Sequence, residues 1–164
     1  MSDYLILVVN RSQARFFVLE PVAHPELESG PRIVLRDELA NPEIETGQAL
    51  YTDSKTGRGA APTGGAVHGY EDKRHRHLDE LRRRFAGEVV QRLQALVERE
   101  QIRHIVLVAS ARMRRFLYPP LEALSRAGLE THKVSKNMIN FGPQKIHDQL
   151  AQAGLVPEQK RLMV

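Results

Sequence analysis

The chain has 164 residues, no cysteine and no tryptophan, and 24 Lys and Arg against 20 Asp and Glu, a formal net charge of +4. That length supports one domain, residues 1–164, with its own core. The missing cysteines exclude a disulfide framework, a Cys-ligated zinc and a Cys nucleophile, and the opening Met-Ser-Asp-Tyr lacks a basic leader, so the expected location is the cytoplasm with no membrane partner.

Tyr4 to Val9 is a continuous apolar run and Ala14 to Glu20 a second. The polar Asn10-Arg11-Ser12-Gln13 between them suits a hairpin connection. Pro31 to Leu39 reads as a third, partly exposed strand, and the three predict an antiparallel meander. Pro21 to Gly30, with two prolines and several acids, is a surface loop. After Asn41-Pro42 the periodicity stops, and residues 43–69 read as a long, flexible, Gly-rich loop of the kind that usually carries function.

A long amphipathic helix is expected from Glu71 to Glu100. Leu78, Leu81, Phe85, Val89, Leu93, Leu96 and Val97 recur three or four apart and define its buried stripe, while Glu71 and Asp72 in the first turn suit the positive end of its dipole. Between Lys73 and Arg84 the cations Lys73, Arg74, Arg76, Arg82, Arg83 and Arg84 face only Asp79 and Glu80, and Arg112, Arg114 and Arg115 form a second cluster. Such charge either contacts a polyanion or forms a solvated face knitted by the pairs Asp79 with Arg83 and Glu80 with Arg84.

Ile105 to Val108 has the composition of a central strand covered on both faces. A second helix should start near Ala111, capped by Ser110 or a neighbour, break at Pro119-Pro120, resume through Leu121 to Arg126 and stop at Gly128. Glu130 to Val134 is the fifth strand, and Pro143 to Ala153 the last helix, followed by Gly154. The fold class is therefore α/β, with a mixed five-stranded sheet built from a βββ meander followed by αβαβα.

Leu5 to Phe17, Leu39-Ala40-Asn41-Pro42, Asp53 to Arg58, His68 to Asp72 and His104 to Ser110 together resemble the bacterial host-attachment protein family, whose fold is similar to the middle domain of eukaryotic and archaeal peptide-chain release factors. The resemblance implies a ribonuclease H-like fold of the translational-machinery type. In the release-factor domain a Gly-Gly-Gln loop precedes a basic helix and enters the peptidyl-transferase centre. Here Gly64-Gly65 is followed by Ala66 and Gly57-Arg58-Gly59 by Ala60, so no Gln amide stands where it could position water. The implied function is docking on the ribosome or another structured RNA without hydrolysis. Lys55, Arg58 and His68 of the loop and Lys73, Arg74, Arg76 and Arg83 of the helix are the candidate RNA contacts. The family name implies a second function, an indirect requirement for bacterial attachment to host cells.

Chemistry is weakly signalled. A nuclease of the ribonuclease H type needs carboxylates gathered near the sheet centre, and Tyr4 to Val9 has none, with Asp3 at its edge. His75 and His77 lie two apart on a helix and point about 200° from one another, which rules out joint metal ligation; the other histidines are scattered. Ser12, Ser54 and Ser110 lack a nucleophile elbow, and Lys55-Thr56 lacks Walker spacing. No catalytic residue, metal or cofactor is expected. With Phe16, Phe17 and Phe85 assigned to the core, base stacking is poorly supplied, leaving phosphate-directed binding. An enzyme reading requires a pocket near Asn10, Arg11 and Ser110, at the end of a core strand, into which a carboxylate converges.

Overall fold

In a computed structural model of the chain, the described residues are 2–41 and 64–161, those from 64 to 72 as backbone only. The elements are β1 (Tyr4–Val9), β2 (Gln13–Glu20), β3 (Arg32–Ala40), α1 (Gly64–Glu100), β4 (His104–Ala109), α2 (Arg114–Arg126), β5 (Glu130–Val134) and α3 (Pro143–Gln152). One sheet runs in the order β3-β2-β1-β4-β5. The first three strands form the expected antiparallel meander, and β4 and β5 extend it in parallel from β1. The fold is α/β with an open, mixed, five-stranded sheet.

The apolar runs explain which strands are central. Beyond their first residue, β1 and β4 are buried throughout, because successive side chains alternate between two covered faces. Leu5, Leu7, Val9, Ile105 and Leu107 face α1 and α2, together with Phe85, Val89, Leu93 and Leu121. Ile6, Val8, Val106 and Val108 face the other way, toward Ile146 and Leu150 of α3. On β3 the pairing slips, so that Phe16 faces Asp37 and Phe17 faces Leu35, leaving Arg36 as the extra residue of a bulge. Arg36 pairs with Glu20 and, at 2.8 Å, with Glu100 of α1, and Asp37 accepts a 2.7 Å bond from Arg92. Two ion pairs thus fasten the outer strand to the end of the long helix.

Helix α1 begins at Gly64 rather than at Glu71. Gly64, Gly65 and His68, assigned to the loop on glycine content, are helical, and the first turn contains no acid. Once a helix is nucleated, each added residue gains a hydrogen bond, which extends α1 through Ala66 and Val67 despite the flanking glycines. Loop residues 43–63 lie outside the described residues.

Helix α2 starts at Arg114 and is continuous across Pro119 and Pro120, contrary to the expected break. Those prolines remove the bonds to the carbonyls of Arg115 and Phe116, but Leu117 and Leu121 are buried on either side and hold the helical path. Ser110 does not cap it: Met113 is the N-cap, with no side-chain cap. The helix ends on Gly128 at φ 103°, where Leu129 N–H reaches the Leu124 carbonyl and Gly128 N–H that of Ser125, a closure that requires the left-handed conformation glycine adopts freely.

On α3, His147 is fully buried, and its Nε2 lies 2.8 Å from the Pro157 carbonyl. Donation from its Nε2–H pins the C-terminal segment to the helix. His147→Ala opens a cavity and orphans that carbonyl, so the stability should fall by about 2–3 kcal/mol, read from chemical denaturation midpoints.

Candidate functional site

At about 100° per residue, Lys73, Arg76, Glu80, Arg83 and Arg84 share one side of α1. Lys73, Arg76 and Arg83 are exposed there. Arg74 is half-buried, on the side of Leu78, Leu81 and Phe85, and does not join that stripe. Of the other sequence-stated contacts, His68 lies on the α1 backbone, and Lys55 and Arg58 fall outside the described residues. Of the four candidate RNA contacts whose side chains are described, the structure brings together Lys73, Arg76 and Arg83.

The two acids of this run are each shared by two arginines. Glu80 bonds Arg83 at 2.9 Å and lies 3.6 Å from Arg84. Asp79 does not meet Arg83 as expected: it points toward α2, where it bonds Arg82 at 2.9 Å and also Arg115. Between Lys73 and Arg84, Glu80 is the one acid that α1 places on that side.

Arg82 departs from the expected cationic surface altogether. It is 5% exposed, on the core side of α1, three residues before Phe85 and seven before Val89. Burial lowers its pKa, the Asp79 bond opposes that, and repulsion from Arg112 and Arg11 lowers it further. Burial also pushes the Asp79 carboxyl up, but bonds from Arg115 and Arg82 outweigh it and hold the group below its ordinary 3.8. Arg82 Nε has no hydrogen-bond partner among the described residues. The helical spacing of Arg82 to Phe85 and Val89 was the signal that could have placed it inside.

A recess of about 290 Å³ opens at the C-terminal ends of β1 and β4, lined by Asn10, Arg11, Ser110, Ala111, Arg112 and Asn137. The Ser110 N–H donates to the Val9 carbonyl at 3.2 Å and holds the two strand ends together. Asn10 Oδ1 accepts from the Ser12 and Gln13 N–H groups at 2.9 and 2.8 Å, closing the turn that presents Arg11. Among the described residues no carboxylate lines the recess. Among the described residues no group of His, Asp and Glu could hold a metal ion, and no helix is long and apolar enough to cross a membrane. A larger hollow of about 500 Å³ between Leu27 and Gln159 is wide open and gathers no comparable charge.

A family described as "Protein required for attachment to host cells" matches residues 5–150 of the 164. The chain belongs to this host-attachment family. The matched segment of the host-attachment chain includes both the α1 stripe and all six residues of the recess. No curated protein matches the chain significantly.

Proposed function

We propose that this chain supports attachment to host cells indirectly, by gripping structured RNA through the cationic stripe of α1 without making or breaking a covalent bond. The attachment role follows the family description. The molecular mode rests on one observation, the exposed alignment of Lys73, Arg76 and Arg83 on one side of a rigid helix. Arginine and lysine spaced along a rod meet phosphates of a folded RNA with little regard for base identity.

Within this proposal the ribosome is the RNA partner, as the release-factor likeness implies; Lys55, Arg58 and His68 add to the same contact, and Arg74, off the stripe, adds least. A ribonuclease H-like fold and a cytoplasmic location belong to the same reading. Support for the fold comes from the strand order, with its antiparallel half followed by a parallel half.

Two measurements test the two layers separately. Ultraviolet crosslinking of the tagged protein in its own cells, followed by sequencing of bound RNA, should enrich ribosomal RNA; recovery at the level of an untagged control overturns the RNA mode. Disruption of the gene should reduce adhesion of cells to host monolayers, with recovery on complementation; unchanged adhesion overturns the attachment role.

A further inference from the structure

The recess at the ends of β1 and β4 concentrates positive charge that no acid among the described residues compensates within its lining. Arg11 and Arg112 line it. Arg82, buried on α1 and outside the lining, is repelled by both, and its Nε has no hydrogen-bond partner among the described residues. The nearest acid on α1, Asp79, is already divided between Arg82 and Arg115.

Helix α2 compounds this. Its N-terminus carries the positive end of the helix dipole, where acids are favoured and cations are not. Instead it opens with Arg114 and Arg115, has no acid in its first turn, and is not capped by a side chain. Four arginines, Arg11, Arg112, Arg114 and Arg115, thus gather at or beside a positive helix end. Arg114 donates to the Ala109 carbonyl and Arg115 is held by Asp79, which leaves Arg11 and Arg112 as the two guanidiniums that face the recess.

We propose that this recess binds the phosphate group of a phosphomonoester, clasped by Arg11 and Arg112 at the start of α2. Two lining guanidiniums, each able to form paired N–H bonds, suit a dianion better than the single charge of a carboxylate. Neutral donors or acceptors on Asn10, Ser110 and Asn137 complete the lining. The volume holds a phosphate with a sugar-sized appendage, and among the described residues the lining has no aromatic ring on which a base could stack. The phosphate is therefore the recognised element. It comes from a small metabolite or from the 5′ end of an RNA. This site is separate from the α1 stripe, so it stands or falls independently of the RNA mode proposed above.

The test is amide chemical-shift titration of the full chain with sodium phosphate, at ionic strength held constant with sodium chloride. The expected result is saturable shifts clustered on Ser110 to Arg115, with binding weakened at least about tenfold in Arg11→Gln/Arg112→Gln, the loss of two charge-assisted contacts. Both residues are exposed, so the variant should fold. Arg161→Gln, on an exposed residue at the other end of the chain, should bind as the parent does. Adenosine monophosphate against adenosine, and 5′-phosphorylated against 5′-hydroxyl oligoribonucleotide, identify the source: tighter binding of either phosphorylated member supports the proposal and assigns it. Linear, unsaturable shifts, equal binding by the double variant, or binding of inorganic phosphate alone with neither ester recognised, an adventitious ion only, would each overturn it.

Discussion

Asp79→Asn is expected to lower the stability of the fold by about 2–3 kcal/mol and its Tm by roughly 5–10 °C, because it strips the partner from a buried arginine. Asp79 is about a third exposed while Arg82 is 6% exposed at the side chain, so the damage falls on the arginine, which water cannot reach. The same change frees Arg115 and loosens the seam between α1 and α2. Adding Arg82→Met removes the stranded charge and keeps most of the side-chain volume. The double variant should therefore recover all but about 1 kcal/mol, since well-packed apolar residues often replace buried ion pairs without loss. If Asp79→Asn and the double variant are equally unstable, the stranded-charge account is wrong.

The pH dependence carries a sign of its own. Because Asp79 is held below its ordinary 3.8 in the folded chain, its contribution is complete above that value and disappears as the pH falls through the lower, folded pKa. Thermal melts from neutral pH downward should show the gap between parent and Asp79→Asn constant at first, then narrowing below 3.8. A gap that instead closed between neutral pH and that value would point to a different group.

Lys73→Glu/Arg76→Glu/Arg83→Glu should weaken RNA binding by about a hundredfold at ~100 mM salt, and make the dependence of log affinity on log salt shallower by about three. These side chains are exposed, so the melting transition should stay within about 1 kcal/mol of the parent, which separates binding from folding. Arg74→Glu supplies the geometric control. Arg74 lies off the stripe, toward Leu78 and Leu81, so its reversal should cost much less than any of the other three. Equal losses at all four positions would mean that bulk charge matters and the alignment does not.

How much of this could be seen in the sequence depended on whether burial or local chemistry carried the signal. The central strands were legible because Leu5 to Val9 and Ile105 to Ala109 are unbroken apolar runs, and few structures other than a doubly covered sheet accommodate them. The start of α1 was not, since Gly64 and Gly65 favour a loop locally while the growing helix outweighs them. Nor was the continuity of α2, where Leu117 and Leu121, anchored in the core, override two prolines. Charge was the least legible. Lys73, Arg76 and Arg83 read correctly as surface cations, whereas Arg82 sits beside them in sequence yet faces inward, a distinction set by one step of helical rotation. The recess was anticipated only in its location: Asn10, Arg11 and Ser110 were singled out, Arg112 was read as part of a separate cationic cluster, and Asn137 reaches it from a segment distant in the chain.

The kink at Arg36 also bears on what the molecule avoids. An open sheet exposes a rim of unsatisfied amides and carbonyls onto which a stray strand can graft, the first step toward fibrils. In this chain that rim is bent out of register and studded with Arg36, Asp37 and Glu38, two of them clamped to α1. A would-be graft must strip water from charges and find a bulge where it needs a straight template. Crowding should consequently leave this flank unzipped and the protein dispersed.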